Sequence, residues 1–466
     1  MSNTISTFVD NLFKSLKLIH KNSSNYEYID NITIFDSDDL FYIVKLLRIP
    51  QIFNNTLLLF LLSCIPCITC FALVEGKLGK VDASVTLRSE YDSRVFGISS
   101  DSFQGAKSSR SSLIAANELK SEDDFVVRFS PALHFSKKLK WFSFTGTAGV
   151  DLVQYIKNND KSYTQHITTF SIDFDDTLSK NKRVSNNAKI RFDATFDLGQ
   201  SVGASILEQD LTSYTYFVAG VNVRYNHSAK FGLGGGTSYN LKHYQSGATQ
   251  DRVYQDISTL PLSAQAFYIY SEKLDFYTDY TFTRTKDDQS GSNTLTDSSS
   301  HSISFGTQGD YSSKLSGNAK LGYSVQNFDN EFISNQDNLI TSIGINWKLN
   351  TKTSFGFNLD RSFSPSAQGF STFSTMGSAS ATHRLLEDLS AKVYVSAGNV
   401  NYTYPPFGSN PIRDSSSLNQ YGLGFNLMKQ ISERISATTG YDYSFIDRSM
   451  ENYARHVLHA DITGRF

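Results

Sequence analysis

Residues 354–363 read Ser-Phe-Gly-Phe-Asn-Leu-Asp-Arg-Ser-Phe. Phe355, Phe357, Leu359 and Phe363 share one parity, and Ser354, Gly356, Asn358, Asp360 and Ser362 share the other. Successive side chains of a strand point to opposite faces, so such a segment folds with one apolar and one polar side. The pattern recurs. Ala188, Ile190, Phe192, Ala194, Phe196 and Leu198 oppose Lys189, Arg191, Asp193, Thr195 and Asp197, and Ile435, Ala437, Tyr441, Tyr443 and Phe445 oppose Ser436, Thr438, Gly440, Asp442 and Ser444. No long helical period competes with it beyond about Lys80.

The connections alternate between short and long. "SKKLKW", "NHSAKF", "SEKLDF", "SSKLSG" and "KLNTKTS" are short and rich in Ser and Lys, whereas "GQSVGASILEQDLTS", "KDDQSGSNTLTDSSSHS" and "YPPFGSNPIRDSSS" are long and polar. Tight turns on one side and long loops on the other mark an up-and-down barrel of the bacterial outer membrane. The expected fold is all-β: a closed antiparallel transmembrane β-barrel of about eighteen strands over residues 77–466, with sixteen the next choice. Arg284 and Arg361 share the apolar parity but stand beside long loops, at interfacial depth, where an Arg costs ~0–1 kcal/mol rather than the ~2–4 kcal/mol of the midplane. Trp141, Phe276, Trp347, Tyr443 and Phe445 near strand ends suit interfacial girdles. Pro131 lies mid-strand in "VVRFSPALHF" and predicts a bulge or bend, because proline cannot donate to a ladder.

Cys64, Cys67 and Cys70 all lie in "TLLLFLLSCIPCITCFALVEG", which carries no charge from Thr56 to Val74 and follows Lys45 and Arg48. The segment 51–76 reads as a secretory signal, preceded by a leader at 1–50 of uncertain status. Its removal leaves no cysteine for disulfides or thiolate metal sites. A retained membrane helix is the alternative.

The near-neutral balance of 43 Lys and Arg against 45 Asp and Glu excludes a phosphate-tracking nucleic-acid binder. No metal spacing is present, and His456 and His459 fall on opposite faces. "FGLGGGTSY" precedes no helix, so Gly232, Gly234, Gly235 and Gly236 suit curvature or close packing in a barrel wall. No cofactor and no enzymatic activity are expected; an outer-membrane hydrolase is the least favoured reading, as no nucleophile elbow appears.

The polar faces carry the functional expectation. Candidate lumen-lining residues are Arg128, Lys189, Arg191, Asp193, Asp197, Asp275, Asp279, Lys348, Asp360, Lys392, Asp442 and Asp461. Eighteen strands enclose an aqueous lumen, and mixed charge predicts weak ion selectivity unless the loop between Gly97 and Asp124 folds in to narrow it. The expectation is a porin-like channel for passive diffusion of small hydrophilic solutes. The alternative is a structural or adhesive barrel with ligand-binding surface loops. Expected partners are outer-membrane lipid, small hydrophilic solutes and, in biogenesis, the barrel-inserting machinery. The last would read Leu458, Ala460, Ile462 and Phe466 on one face of the final strand, although Gly464 stands where that signal favours an aromatic. A homo-oligomer is compatible with this reading.

"ASVTLRSEYDSRVFGISSD" and "SEDDFVVRFSPALHFSKKL" complete the reading. Through Tyr91, Asp92, Ser93, Val95, Phe96, Asp124, Phe125 and Pro131 they resemble the putative β-barrel porin type 2 proteins, with Arg94 in place of the expected Asn. The resemblance implies an outer-membrane barrel with a porin-like role and supplies no catalytic residues.

Overall fold

The computed structural model describes residues 74–76, 79–101, 103–104, 119–175, 189–205, 210–244, 256–287, 297–331, 334–365, 371–403, 417–448 and 452–466. Cys64, Cys67 and Cys70 and the rest of the expected leader and signal lie outside them, except that Val74–Gly76 form a short strand, β1, paired with β2 (Gly79–Asp92).

From β2 the chain runs up and down through β3 (Asp124–Lys138), β4 (Phe142–Tyr155), β5 (Tyr163–Asp175), β6 (Lys189–Ser205), β7 (Asp210–Asn226), β8 (Phe231–Tyr244), β9 (Ile257–Ser271) and β10 (Leu274–Asp287). It continues through β11 (Ser298–Asp310), β12 (Leu315–Phe328), β13 (Gln336–Lys348), β14 (Thr353–Pro365), β15 (Ser371–Arg384), β16 (Leu389–Thr403), β17 (Ser417–Gln430), β18 (Ile435–Arg448) and β19 (Asn452–Arg465). Each barrel strand pairs antiparallel with the next, and β19 pairs with β2, so the sheet closes and no edge is left along the wall. The seam ends where Ala83 and Phe466 exchange two backbone hydrogen bonds of 3.0 and 2.8 Å.

The tight turns 227–230, 311–314, 349–352 and 431–434 all lie at the end that holds Gly79. Their Ser/Lys-rich signature has a local cause. Ser228 Oγ accepts the N–H groups of Lys230 and Phe231, Ser312 Oγ those of Lys314 and Leu315, and Ser432 Oγ those of Arg434 and Ile435. Asn350 Oδ1 does the same for Lys352 and Thr353 at 2.8 Å each. A short side-chain acceptor holds the turn, and the next strand begins at once. The two-residue connection 272–273 is accompanied by a register shift at Leu274/Asp275 and by Gly309 at φ 128° on the neighbouring strand.

Pro131 corrects one expectation. Its register with Val85 of β2 is regular, and on the β4 side the register is the same before and after, Phe129 with Leu152 and Ala132 with Gly149. There is no bulge. Pairing with β4 simply lapses at Ser130 and Pro131, so the missing N–H interrupts one ladder without moving the strand.

One face of the closed sheet is apolar and uncovered: Leu133, Phe305 and Leu321 are 53%, 66% and 59% exposed. No second layer lies over it among the described residues. An apolar band of this extent belongs in hydrocarbon, not water. Toward the tight-turn end this face carries the aromatic pairs Trp347–Phe355, Phe231–Tyr268 and Tyr270–Phe276.

Candidate functional site

The opposite face is identified as the interior by contacts that skip strands. Arg224 on β7 reaches Asp275 on β10 at 2.7 Å, and Lys320 on β12 stands 3.9 Å from Asp279 on β10. The Tyr394 hydroxyl on β16 donates to Asp442 on β18. Only a concave surface brings such positions together.

The strand registers put all twelve charged positions singled out from sequence on this face. Several are drawn into pairs. Asp275 takes Arg224, whose guanidinium also stacks 4.1 Å from the Phe267 ring. The nearly buried Asp279 accepts from Gln265 Nε2 at 3.1 Å and faces Lys320. Asp461 faces Arg88 at 3.6 Å and His459 at 3.1 Å, while Arg88 also holds Glu90 at 2.7 Å. Asp193 accepts from Asn222 at 2.8 Å. Arg128, Lys348 and Lys392 form no ion pair among the described residues. Arg88, Glu90, Arg224, Lys320 and His459 share the polar parity of their strands and were findable from it. Their pairing was not.

The glycines of "FGLGGG" acquire a role in this geometry. Gly232, Gly234 and Gly236 face inward on β8, directly beneath the route from Arg224 to Asp275. A Cβ on Gly234 would come within 2.8 Å of the Phe267 ring, and one on Gly236 within 2.1 Å of Asn222 Oδ1. The bare strand makes room for side chains that cross it.

The first long connection, between β2 and β3, folds onto the interior. Ile98, Phe103 and Leu119 pack with Val95 and with the inward-facing Val126 on β3 and Val153 and Tyr155 on β4, against Tyr163 on β5. Its short 3-10 turn, Val95–Gly97, lies against β6 and β7. On its other side the Tyr453 hydroxyl of β19 donates to the Gly97 carbonyl. The loop therefore spans the wall from β19 round to β7.

Two polar knots hold it there. Asp124, fully buried, accepts hydrogen bonds from the N–H groups of Phe125, Ile156, Lys157 and Asn158 at 2.7, 3.0, 2.8 and 2.7 Å and from Asn158 Nδ2 at 2.9 Å. Asn158 Oδ1 in turn accepts from the N–H groups of Lys120 and Ser121. At the other root, Arg455 grips Asp92 with two bonds of 2.9 and 2.7 Å, and the Ser93 hydroxyl accepts the His456 N–H. Arg94 pairs with Glu122 at 2.7 Å, and the Val95 N–H donates to the Glu122 carbonyl. Two exposed pairs outside the strands add to this: Lys157 holds the carboxyl of Asp123 below its usual range, and Lys120 does the same for Asp160. Asp92, Ser93, Val95 and Asp124 thus all serve to dock one loop.

A family model described as "Putative beta-barrel porin 2" matches residues 111–466. Among solved structures, the outer membrane protein OpdK from Pseudomonas aeruginosa is 10% identical, with 83% of this chain and 98% of that chain covered and a TM-score of 0.42. OccAB4 from Acinetobacter baumannii is 11% identical over 84% and 99%, with a TM-score of 0.42. The siderophore receptor PirA from Pseudomonas aeruginosa is 9% identical over 84% and 82%, with a TM-score of 0.37. No curated protein matches the sequence.

Proposed function

The chain belongs to the putative beta-barrel porin 2 family, and on that premise we propose that it conducts small hydrophilic solutes passively across the bacterial outer membrane. It is a porin-like barrel of that membrane. The observation that carries the proposal is the polar, charge-lined interior of a closed barrel, narrowed by one docked loop. That loop is held at both roots by hydrogen bonds to its neighbours, which supports a docked constriction rather than a plug that must leave. Most inward charges on β2 and β19, where it is rooted, are offset by a partner of opposite sign, which supports weak ion selectivity. Transport without turnover is the whole of the proposed activity.

The assembly reading rests on β19. Leu458, Ala460 and Ile462 face lipid, and Phe466 completes the seam with Ala83. The barrel-inserting machinery would read this strand before it pairs with β2.

Purified, folded protein in planar bilayers tests the proposal. Discrete, ohmic conductance steps are expected. Folded protein, verified by a heat-dependent shift on a detergent gel, that gives no conductance at any voltage refutes it.

A further inference from the structure

Five cations stand on the inner face where strands reach the tight-turn mouth: Lys348 ends β13, Arg384 ends β15, Lys392 lies three residues beyond the start of β16, Arg465 ends β19 and Lys138 ends β3. The registers put them on the lumen side. Lys348 pairs with Ser354, Ser354 with Thr382 and Thr382 with Lys392, and Arg384 is the next inward position beyond Thr382. Arg465 pairs with Ser84, and Lys138 with Ser143. One register line thus carries Lys348 and Lys392 three strands apart, about 14 Å at ~4.8 Å per strand. All five side chains are exposed, and none of the five forms an ion pair among the described residues.

The carboxylates on this half of the wall are engaged or set apart. Asp82 is 3.1 Å from Lys80, and Asp388 in the turn 385–388 holds Lys429, which shares the outward parity of β17. Asp461 faces Arg88 and His459, and Asp442 takes the Tyr394 hydroxyl. Asp360 lies six residues beyond Ser354, about 20 Å deeper along β14. Glu387 and Glu433 stand in the turns themselves, the second next to Arg434. The opposite half, β5 to β12, mixes the two signs. Arg224 takes Asp275, Lys320 faces Asp279, Lys273 stands 3.8 Å from Asp310, and Asp173 and Asp193 share a register position next to Arg191.

Fixed cations without counter-charges raise the local concentration of anions in the water they face and lower that of cations. Arg and Lys lining is also how pores select anions. We infer that the crescent of Lys348, Arg384, Lys392, Arg465 and Lys138 is an anion-gathering mouth: from the tight-turn side the channel favours small anions of the carboxylate and phosphate class over cations of similar size. The inference rests on the channel reading above and gives it a direction. The paired wall is weakly selective; this one mouth is not.

Single channels in planar bilayers under a KCl gradient of about 0.01 M against about 0.1 M test it, since the Debye length reaches ~30 Å on the dilute side. A single channel keeps its orientation, so inverting the gradient compares its two mouths. Chloride should permeate about threefold better than potassium when the dilute side bathes the crescent, the factor that a potential of about one kT gives, and by less when the gradient is inverted. Near 1 M salt, where the Debye length is ~3 Å, the preference should vanish in the unaltered protein. K348Q/R384Q/K392Q should bring the ratio close to unity and K348E/R384E/K392E should turn it toward potassium, with the heat-dependent gel shift showing that each variant folds. A ratio near unity in dilute salt, one that is the same for both gradient directions, or one unchanged at 1 M salt or in folded K348Q/R384Q/K392Q overturns the crescent while the channel stands. Folded protein without conductance overturns both.

Discussion

Asp124→Ala separates the loop from the barrel. Four of the five donors to this carboxylate come from the β4–β5 connection: the N–H groups of Ile156, Lys157 and Asn158, and Asn158 Nδ2. The Ile156 N–H keeps the Phe125 carbonyl at 3.1 Å, so three donors lose their acceptor; at about 1 kcal/mol each the loss is about 3 kcal/mol, or about two orders of magnitude in the docking equilibrium. Burial of Ile98, Phe103 and Leu119 opposes undocking by about 1.5–3 kcal/mol each, but ordering the loop costs about 1–2 kcal/mol per residue, so the balance is narrow enough for the hub to decide it. The barrel closes through the pairing of β19 with β2, and its strand ladders do not use the Asp124 side chain. The expected result is a folded, heat-modifiable barrel with larger single-channel conductance and rapid proteolysis within the β2–β3 connection. Conductance and protease resistance both equal to wild type would show that the hub does not hold the constriction.

The interior ion pairs predict opposite effects from their two halves. Arg224→Gln should shift the reversal potential in a salt gradient toward cation preference and Asp275→Asn toward anion preference, with the double substitution returning near wild type. Acid should loosen the loop. The carboxyls of Asp123 and Asp160 are depressed by Lys157 and Lys120, so their contribution is complete above the free value near 3.8 and disappears as pH falls through the lower folded values. Each exposed pair contributes about 0–1 kcal/mol, so protease sensitivity of the connection should rise gradually below about pH 4. Gly309→Val should block folding, seen as loss of the heat-modifiable band, because the backbone is at φ 128° and a Cβ would sit 1.8 Å from the Lys273 carbonyl oxygen.

Parity was the legible part of this protein. A strand alternates its faces every residue, so the sequence alone separated Asp193 and Asp442 from Phe192 and Tyr443. The Ser/Lys turns were legible for the same reason, since Ser312 and Ser432 act on residues two and three positions ahead. Pairing was not legible. Arg455 and Asp92 lie 363 residues apart, and Arg224 and Asp275 meet only because closure curves β7 and β10 toward each other over a glycine strand. The docked loop was foreseen only by its length; its anchor, Asp124, is one carboxylate among many until folding collects four donors from another connection around it. Local periodicity fixed which way each side chain points. Register and curvature, which exist only once the sheet closes, decided what each one meets.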